Sequence, residues 1–145
     1  MIGLLQRVTA AAVHVDGDEI ARIGTGLLVL VGVQREDTDR DAARLAERLL
    51  GYRVFPDEEG RMNRSVTDIG GDILLVPQFT LAANTRKGTR ASFTSAAPPA
   101  EGRRLFHRLA EDMAAAHGRI ATGVFGADMQ VSLINSGPVT FWLET

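Results

Sequence analysis

Gly26-Leu27-Leu28-Val29-Leu30-Val31-Gly32-Val33 is an unbroken apolar run bounded by glycines. It is too short for a membrane span, which needs about 20 residues, and its valines favour an extended chain. A strand apolar at every position has no face to give to water, so this run predicts a strand covered on both sides. The rest of the chain has to supply those two covers.

Downstream, Thr38 and Asp41 fit a capping box, with acidic residues where the helix dipole favours them. Ala42, Leu45, Ala46, Leu49 and Leu50 then fall on one stripe of a helix that Gly51 ends. Residues 52–55 read as a short strand closed by Pro56 and the turn-like Asp57-Glu58-Glu59-Gly60. After Gly70-Gly71, residues 73–76 form a second buried strand running directly into Pro77-Gln78-Phe79-Thr80-Leu81. Residues 82–98 show no periodicity, and loops of this length inside a compact domain are more often functional than accidental. A second helix starts at Pro98-Pro99, carries Leu105, Phe106, Leu109 and Met113 on its apolar face, and stops at Gly118. Strands over residues 120–125, 129–134 and 139–143 complete this side. Upstream, residues 2–9 read as a strand. Val13 and Val15 with residues 20–23 then form a hairpin around Asp16-Gly17-Asp18. The expectation is one α+β domain over residues 1–145, a strongly twisted or barrel-like sheet of short strands with two main helices packed on it.

Sixteen basic and 18 acidic residues leave a net charge of −2, and there is no cysteine. The balance argues against a protein that grips long duplex DNA but allows one that handles the end of an RNA. Disulfides and thiolate chemistry are excluded. No stretch predicts a membrane span, and the opening residues lack the basic and apolar regions of a signal peptide, so a cytosolic location is expected.

His14, His107 and His117 are scattered without metal-ligand spacing. No G-x-S-x-G elbow surrounds any serine, and Gly24-Thr25-Gly26 opens no helix of the dinucleotide-binding kind. What remains suits a substrate that is already activated, such as an aminoacyl ester, for which positioning and an oxyanion hole supply much of the acceleration. Pro77 marks a strand end or bulge, where the N–H groups of Phe79 and Thr80 become free to face a ligand. As a continued strand, the stretch puts Gln78 and Thr80 on one face and Phe79 and Leu81 on the other. The plainer alternative is a strand with an inward Phe and two solvated polar groups. Arg86-Lys87-Gly88-Thr89-Arg90 suits a phosphate backbone or simply a solvated loop. Arg103, Arg104 and Arg108 read as the outer face of the second helix. In the tail, Gly137-Pro138 between two apolar runs reads as a rigidly held turn.

With these motifs in view, the sequence resembles the D-aminoacyl-tRNA deacylases nearly end to end. Leu5-Gln6-Arg7-Val8, the run over 26–33 and Gly51-Tyr52-Arg53-Val54-Phe55 are similar to the family's landmarks. Gln78-Phe79-Thr80-Leu81 matches four of the five residues of its Ser-Gln-Phe-Thr-Leu motif. Ala127-Asp128-Met129-Gln130-Val131-Ser132-Leu133 leads into Asn135-Ser136-Gly137-Pro138-Val139-Thr140, like its Asn-x-Gly-Pro-Val-Thr signature. The resemblance implies hydrolysis of the ester joining a D-amino acid, or glycine mischarged on tRNA-Ala, to the 3′ end of tRNA, as chirality-based proofreading. It implies a homodimer with active sites at the interface, and neither metal nor cofactor. It also implies a cis Gly137-Pro138 peptide inserted against Gln78, Phe79 and Thr80 of the partner subunit. The ribose 2′-hydroxyl would take part in the chemistry and Thr80 would position or polarise groups. By the same resemblance Arg7 braces the Gly-Pro corner, Met129 lines the adenosine side unless it serves only the core, and Asn135 belongs to the substrate-binding motif.

Pro77 departs from the family's Ser and removes a hydroxyl from the pocket rim. A related animal branch has Pro-Gln-Ala-Thr-Leu here, carries a trans Gly-Pro and acts on L-alanyl-tRNA. Phe79 favours the D-specific branch. A relaxed L-alanyl-tRNA editor and a non-catalytic nucleic-acid-binding protein are the two alternatives.

Overall fold

A computed structural model describes Met1–Thr145. In chain order its elements are β1 (Ile2–Val15), β2 (Asp18–Ile23), β3 (Gly26–Gly32), α1 (Asp39–Gly51), β4 (Phe55–Pro56), β5 (Met62–Arg64), β6 (Asp72–Pro77), α2 (Pro99–His117), β7 (Ile120–Thr122) and β8 (Gln130–Glu144). A short 3₁₀ turn, Phe79–Ala82, follows β6. The main sheet runs β2-β1-β3-β6-β7, with β8 paired to β1. β3 lies antiparallel to β1 and parallel to β6, and β6 is parallel to β7. The parallel steps are the ones joined through α1 and α2, as parallel neighbours require a crossover.

The apolar run of β3 is indeed covered twice. Leu27, Val29 and Val31, with Ile73 and Leu75 of β6, pack against Leu45 and Leu49 of α1 and Leu105, Phe106 and Leu109 of α2. The alternate side chains Leu28, Leu74 and Val76 turn the other way and meet Val8, Ala11, Val13 and Ile23 inside a nearly closed barrel. One core therefore lies between sheet and helices and the other within the barrel. The capping box of α1 forms, with Asp41 accepting from the Thr38 N–H at 2.9 Å and Thr38 as N-cap. Those bonds hold the Asp41 carboxyl below its usual range. Helix α2 has Pro99 at its first position and left-handed Gly118 after its end. No helix is long and apolar enough to cross a membrane.

Five expectations need correction. The first strand does not stop at residue 9: β1 continues to Val15, and a register shift at Val13/His14 absorbs its bend. Small buried Ala11 and Ala12 let β2 and β8 flank it there. The two tail strands are one strand, β8, and Gly137-Pro138 is an excursion within it rather than a chain reversal. Strand β7 ends at Thr122 instead of 125, and of the expected strand over 52–55 only Phe55 is paired, in a two-residue strand that continues into Pro56. Beyond Pro77 the chain leaves the sheet in a 3₁₀ turn, so the strand alternation expected for 78–81 does not apply.

Candidate active site

The turn after β6 is seated on a glycine. The Gln78 N–H donates to the Val31 carbonyl at 2.7 Å, the last rung of the parallel ladder. A Cβ on Gly32 would lie 2.9 Å from Leu81 Cβ and 3.3 Å from the Gln78 carbonyl oxygen. Only a residue without a side chain lets the turn pack this closely. Leu81 N–H then bonds back to the Gln78 carbonyl at 3.2 Å, and Ala83 N–H to that of Thr80 at 3.1 Å. The N–H groups of Phe79 and Thr80 find no acceptor in the chain. Gln78 Nε2 donates to Thr80 Oγ1 at 2.5 Å, placing amide and hydroxyl together beside those two free donors. Thr80 is exposed, and Phe79 is 59% exposed although it is a large apolar side chain.

Two cavities are lined by Phe79 of this turn. One, about 250 Å³, is apolar and lies between the ends of β3 and β6 and the start of α2, with Phe79, Pro99, Gly102, Phe106 and Phe125 in its walls. The other, about 260 Å³, is lined by Pro77, Gln78, Phe79 and Met129 among others. Met129 is half-buried; its Sδ accepts from the Val124 N–H at 3.4 Å, and it also packs against the barrel core. Pro77 ends the ladder, its Cδ 3.4 Å from where a Cβ on Gly123 would stand. Neither lining contains Asp, Glu, His or Lys. Nowhere do three His, Asp or Glu side chains converge to hold a metal ion.

The Gly-Pro corner is built by different residues. Gln6 pairs with Thr140 and Val8 with Asn135, so residues 136–139 of β8 stand opposite Arg7 alone. Arg7 reaches into this excursion, donating from Nε to the Ser136 carbonyl at 3.1 Å and from Nη1 to the Val54 carbonyl at 2.7 Å. Asn135 closes it from below. Its Oδ1 accepts from Val139 N–H at 3.1 Å, and its Nδ2 donates to Thr140 Oγ1 at 2.9 Å. The Gly137-Pro138 bond is cis, and Gly137 has φ +132°. Both residues are exposed. Flanking Val139 and Phe141 pack back into the core, Phe141 against Tyr52 at 5.4 Å.

The structure thus brings Pro77, Gln78, Phe79, Thr80 and Met129 to one place, and Arg7, Asn135, Gly137 and Pro138 to another. Neither cavity beside Thr80 includes Gly137 or Pro138. Met129 touches the first group and lies just before β8, eight residues ahead of Gly137. Eight residues of chain span at most on the order of 25 Å at ~3.3 Å per residue, and the two groups share no cavity lining within one chain. Three contributors are new to the sequence reading. Gly32 seats the turn. Phe93, from the long loop, stacks on Phe79 at 5.1 Å between centroids. The Val54 carbonyl anchors Arg7. A glycine closing the β3 run was a visible signal; the other two depend on long-range contacts.

Comparison with known proteins agrees across the chain. The family model described as D-Tyr-tRNA(Tyr) deacylase matches residues 4–144. A D-aminoacyl-tRNA deacylase of Thioalkalivibrio sulfidiphilus is 64% identical over 144 residues, covering 99% of this chain and 97% of the relative. That of Pseudomonas aeruginosa PAO1 is 59% identical over 145 residues, 100% of both chains. Among solved structures, the c-Myc DNA unwinding element binding protein superimposes with a TM-score of 0.96 at 38% identity, covering 100% of this chain and 99% of its own. A probable eukaryotic D-amino acid tRNA deacylase has the same fold, with a TM-score of 0.87 at 21% identity over 99% and 98% of the two chains.

Proposed function

Because the chain belongs to the D-aminoacyl-tRNA deacylase family, we propose that it hydrolyses the ester between a D-amino acid and the 3′ end of tRNA in the cytosol, and that its chiral selectivity resides in a homodimeric site. The hydrolase activity and the tRNA substrate follow from relatives that match over the whole chain at 59–65% identity. The selectivity rests on one observation. The braced, exposed Gly137-Pro138 corner and the Gln78–Thr80 turn share no cavity within one chain.

A second copy brings the two together. Strand β8 is paired only on its β1 side, and it exposes Leu133, Ile134 and Trp142. An exposed apolar edge strand is a surface that proteins normally cover. In the proposed dimer each corner enters the partner's site opposite Gln78, Phe79 and Thr80. The adenosine occupies the apolar cavity against Phe125, and Met129 lines the adjoining cavity across Pro77 and Phe79. The ester carbonyl faces the free N–H groups of Phe79 and Thr80. Water, aided by the ribose 2′-hydroxyl, adds to that carbonyl, and the two N–H groups bind the oxyanion. The C–O bond to the ribose breaks, the ribose oxygen takes one of the water's protons, the other passes to solvent, and the amino acid leaves as its carboxylate. Thr80 and Gln78 position the ester.

Selection needs no side chain. Backbone carbonyls of the partner's corner, close to the substrate α-carbon, leave room for hydrogen or a D side chain and clash with an L one. One site therefore accepts many amino acids of one hand, and glycine on tRNA-Ala with them. The test is release of tyrosine from D-Tyr-tRNA and L-Tyr-tRNA, with L-Ala-tRNA and Gly-tRNA alongside. D-Tyr-tRNA is expected to turn over at least about 100-fold faster than L-Tyr-tRNA, a difference of about 2.7 kcal/mol in barrier. Equal rates would remove chirality from the account, and efficient L-Ala-tRNA cleavage would favour the relaxed editor. The name of the 38%-identical structural relative supports a second reading, nucleic-acid binding without hydrolysis. Failure to cleave any of the four esters would favour it.

A further inference from the structure

The chain has 16 Lys and Arg side chains. Six of them, Arg22, Arg44, Arg61, Arg104, Arg108 and Arg119, pair with carboxylates. The side chains of Arg86, Lys87 and Arg90 form neither an ion pair nor a hydrogen bond within the chain, and every residue from Asn84 to Thr94 is exposed. Yet the segment has a defined shape. Asn84 and Ser92 exchange two backbone hydrogen bonds at 2.8 and 3.1 Å, closing its neck. Asn84 Oδ1 accepts from the Arg86 N–H at 3.0 Å, and Gly88 turns the tip at φ +69°. The N–H groups of Lys87 through Ala91 have no acceptor in the chain. The lobe thus presents three uncompensated cations, a row of free N–H donors and the hydroxyls of Thr85 and Thr89. That donor set is chemically suited to phosphate oxygens.

The lobe is also tied to the site. It begins four residues after Thr80, and beyond its neck Phe93 stacks on Phe79 at 5.1 Å. Ser95 Oγ then donates to the Ala82 carbonyl at 2.5 Å. Six residues separate Thr80 from Arg86, so the cations lie within about 20 Å of the reacting ester, the reach of a few nucleotides. With a net charge of −2, the molecule as a whole does not attract RNA. A local grip has to serve.

We propose that the lobe over residues 84–92 is a phosphodiester-binding site for the single-stranded nucleotides that precede the terminal adenosine of the substrate. The proposal rests on the hydrolase reading above. Its test compares three D-tyrosyl esters: of tRNA, of the trinucleotide cytidyl-cytidyl-adenosine, and of adenosine, which has no phosphodiester. The protein is wild type or Arg86→Ala/Lys87→Ala/Arg90→Ala, with Arg86→Lys/Arg90→Lys as the charge-retaining control. For the triple variant, kcat/KM at low salt is expected to fall at least about tenfold more on tRNA and on the trinucleotide than on adenosine. Its log–log salt dependence on tRNA should flatten by about two, as expected when three single-strand phosphate contacts are lost. The lysine variant should recover most of that loss. Equal losses on all three esters, no loss on tRNA, or an unchanged salt slope would overturn the proposal. A loss on tRNA alone would also overturn it, because the contacts would then lie on the duplex stem. Wild-type protein that cleaves none of the esters would instead overturn the hydrolase reading on which it stands.

Discussion

Gly137→Ala is expected to lower kcat/KM for D-Tyr-tRNA by about 100-fold or more while leaving a folded protein. Residue 137 sits at φ +132°, which L side chains rarely adopt. An added Cβ would stand 2.7 Å from Val139 Cγ2 and 3.1 Å from Arg7 Nη2. Val139 is held by the core and by Asn135, and Arg7 by two carbonyls, so the corner itself has to move. Both residues of the corner are exposed, so the fold tolerates that movement. A backbone gate does not: a misplacement of about 1 Å costs on the order of 10²-fold in rate. Activity within threefold of wild type, with the altered corner confirmed, would show that corner geometry does not matter to the reaction.

Gly26→Ala acts on the fold and should yield little or no folded protein. Gly26 opens β3 beside Asp72 of β6, and a Cβ there would lie 1.9 Å from the Asp72 carbonyl oxygen and 2.7 Å from the Asp72 backbone nitrogen. Those atoms belong to the parallel ladder, where Asp72 N–H bonds to the Thr25 carbonyl at 3.0 Å. Relief requires parting β3 from β6, the two strands that carry both cores, so the cost exceeds about 4 kcal/mol. A contrasting control is Gly51→Ala, where a Cβ meets nothing within 4 Å. Circular dichroism and thermal melting separate the two. A Gly26→Ala protein that melts cooperatively within a few degrees of wild type would contradict the described β3–β6 register.

The two glycines illustrate what the sequence does and does not reveal. The run over residues 26–33 announces a doubly covered strand because every position is apolar, and α1 and α2 declare themselves through stripe, cap and stop residues. Gly26 and Gly32, by contrast, look like ordinary boundaries of that run. Their need for bare backbone arises from Asp72 and Leu81, which reach them only once the parallel ladder has formed. Likewise β1 and β8 read as broken strands because alanines, His14 and Gly-Pro interrupt their pattern, whereas pairing along their length carries each through the irregularity. The 3₁₀ turn at Phe79 was hidden because four residues show no period that distinguishes it from a strand. For the candidate site, the chemical residues of the turn and the corner were legible as motifs. Their placement in different parts of one chain was not, since it depends on how β1 pairs with β8 and β3 with β6.

That separation gives the most direct measurement. Thr80→Phe blocks the space before the free N–H groups in its own chain, and Gly137→Ala disables the corner in its own chain. Each variant alone is expected to be inactive on D-Tyr-tRNA. Denatured together in equal amounts and refolded, they form mixed dimers in which one site combines wild-type Thr80 with the partner's wild-type corner. Random pairing then restores about a quarter of the wild-type activity per subunit, as a symmetric two-site interface requires. If the mixture stays as inactive as its components while mixed dimers are shown to form, corner and turn do not meet across subunits. The account of chiral selection would then be wrong.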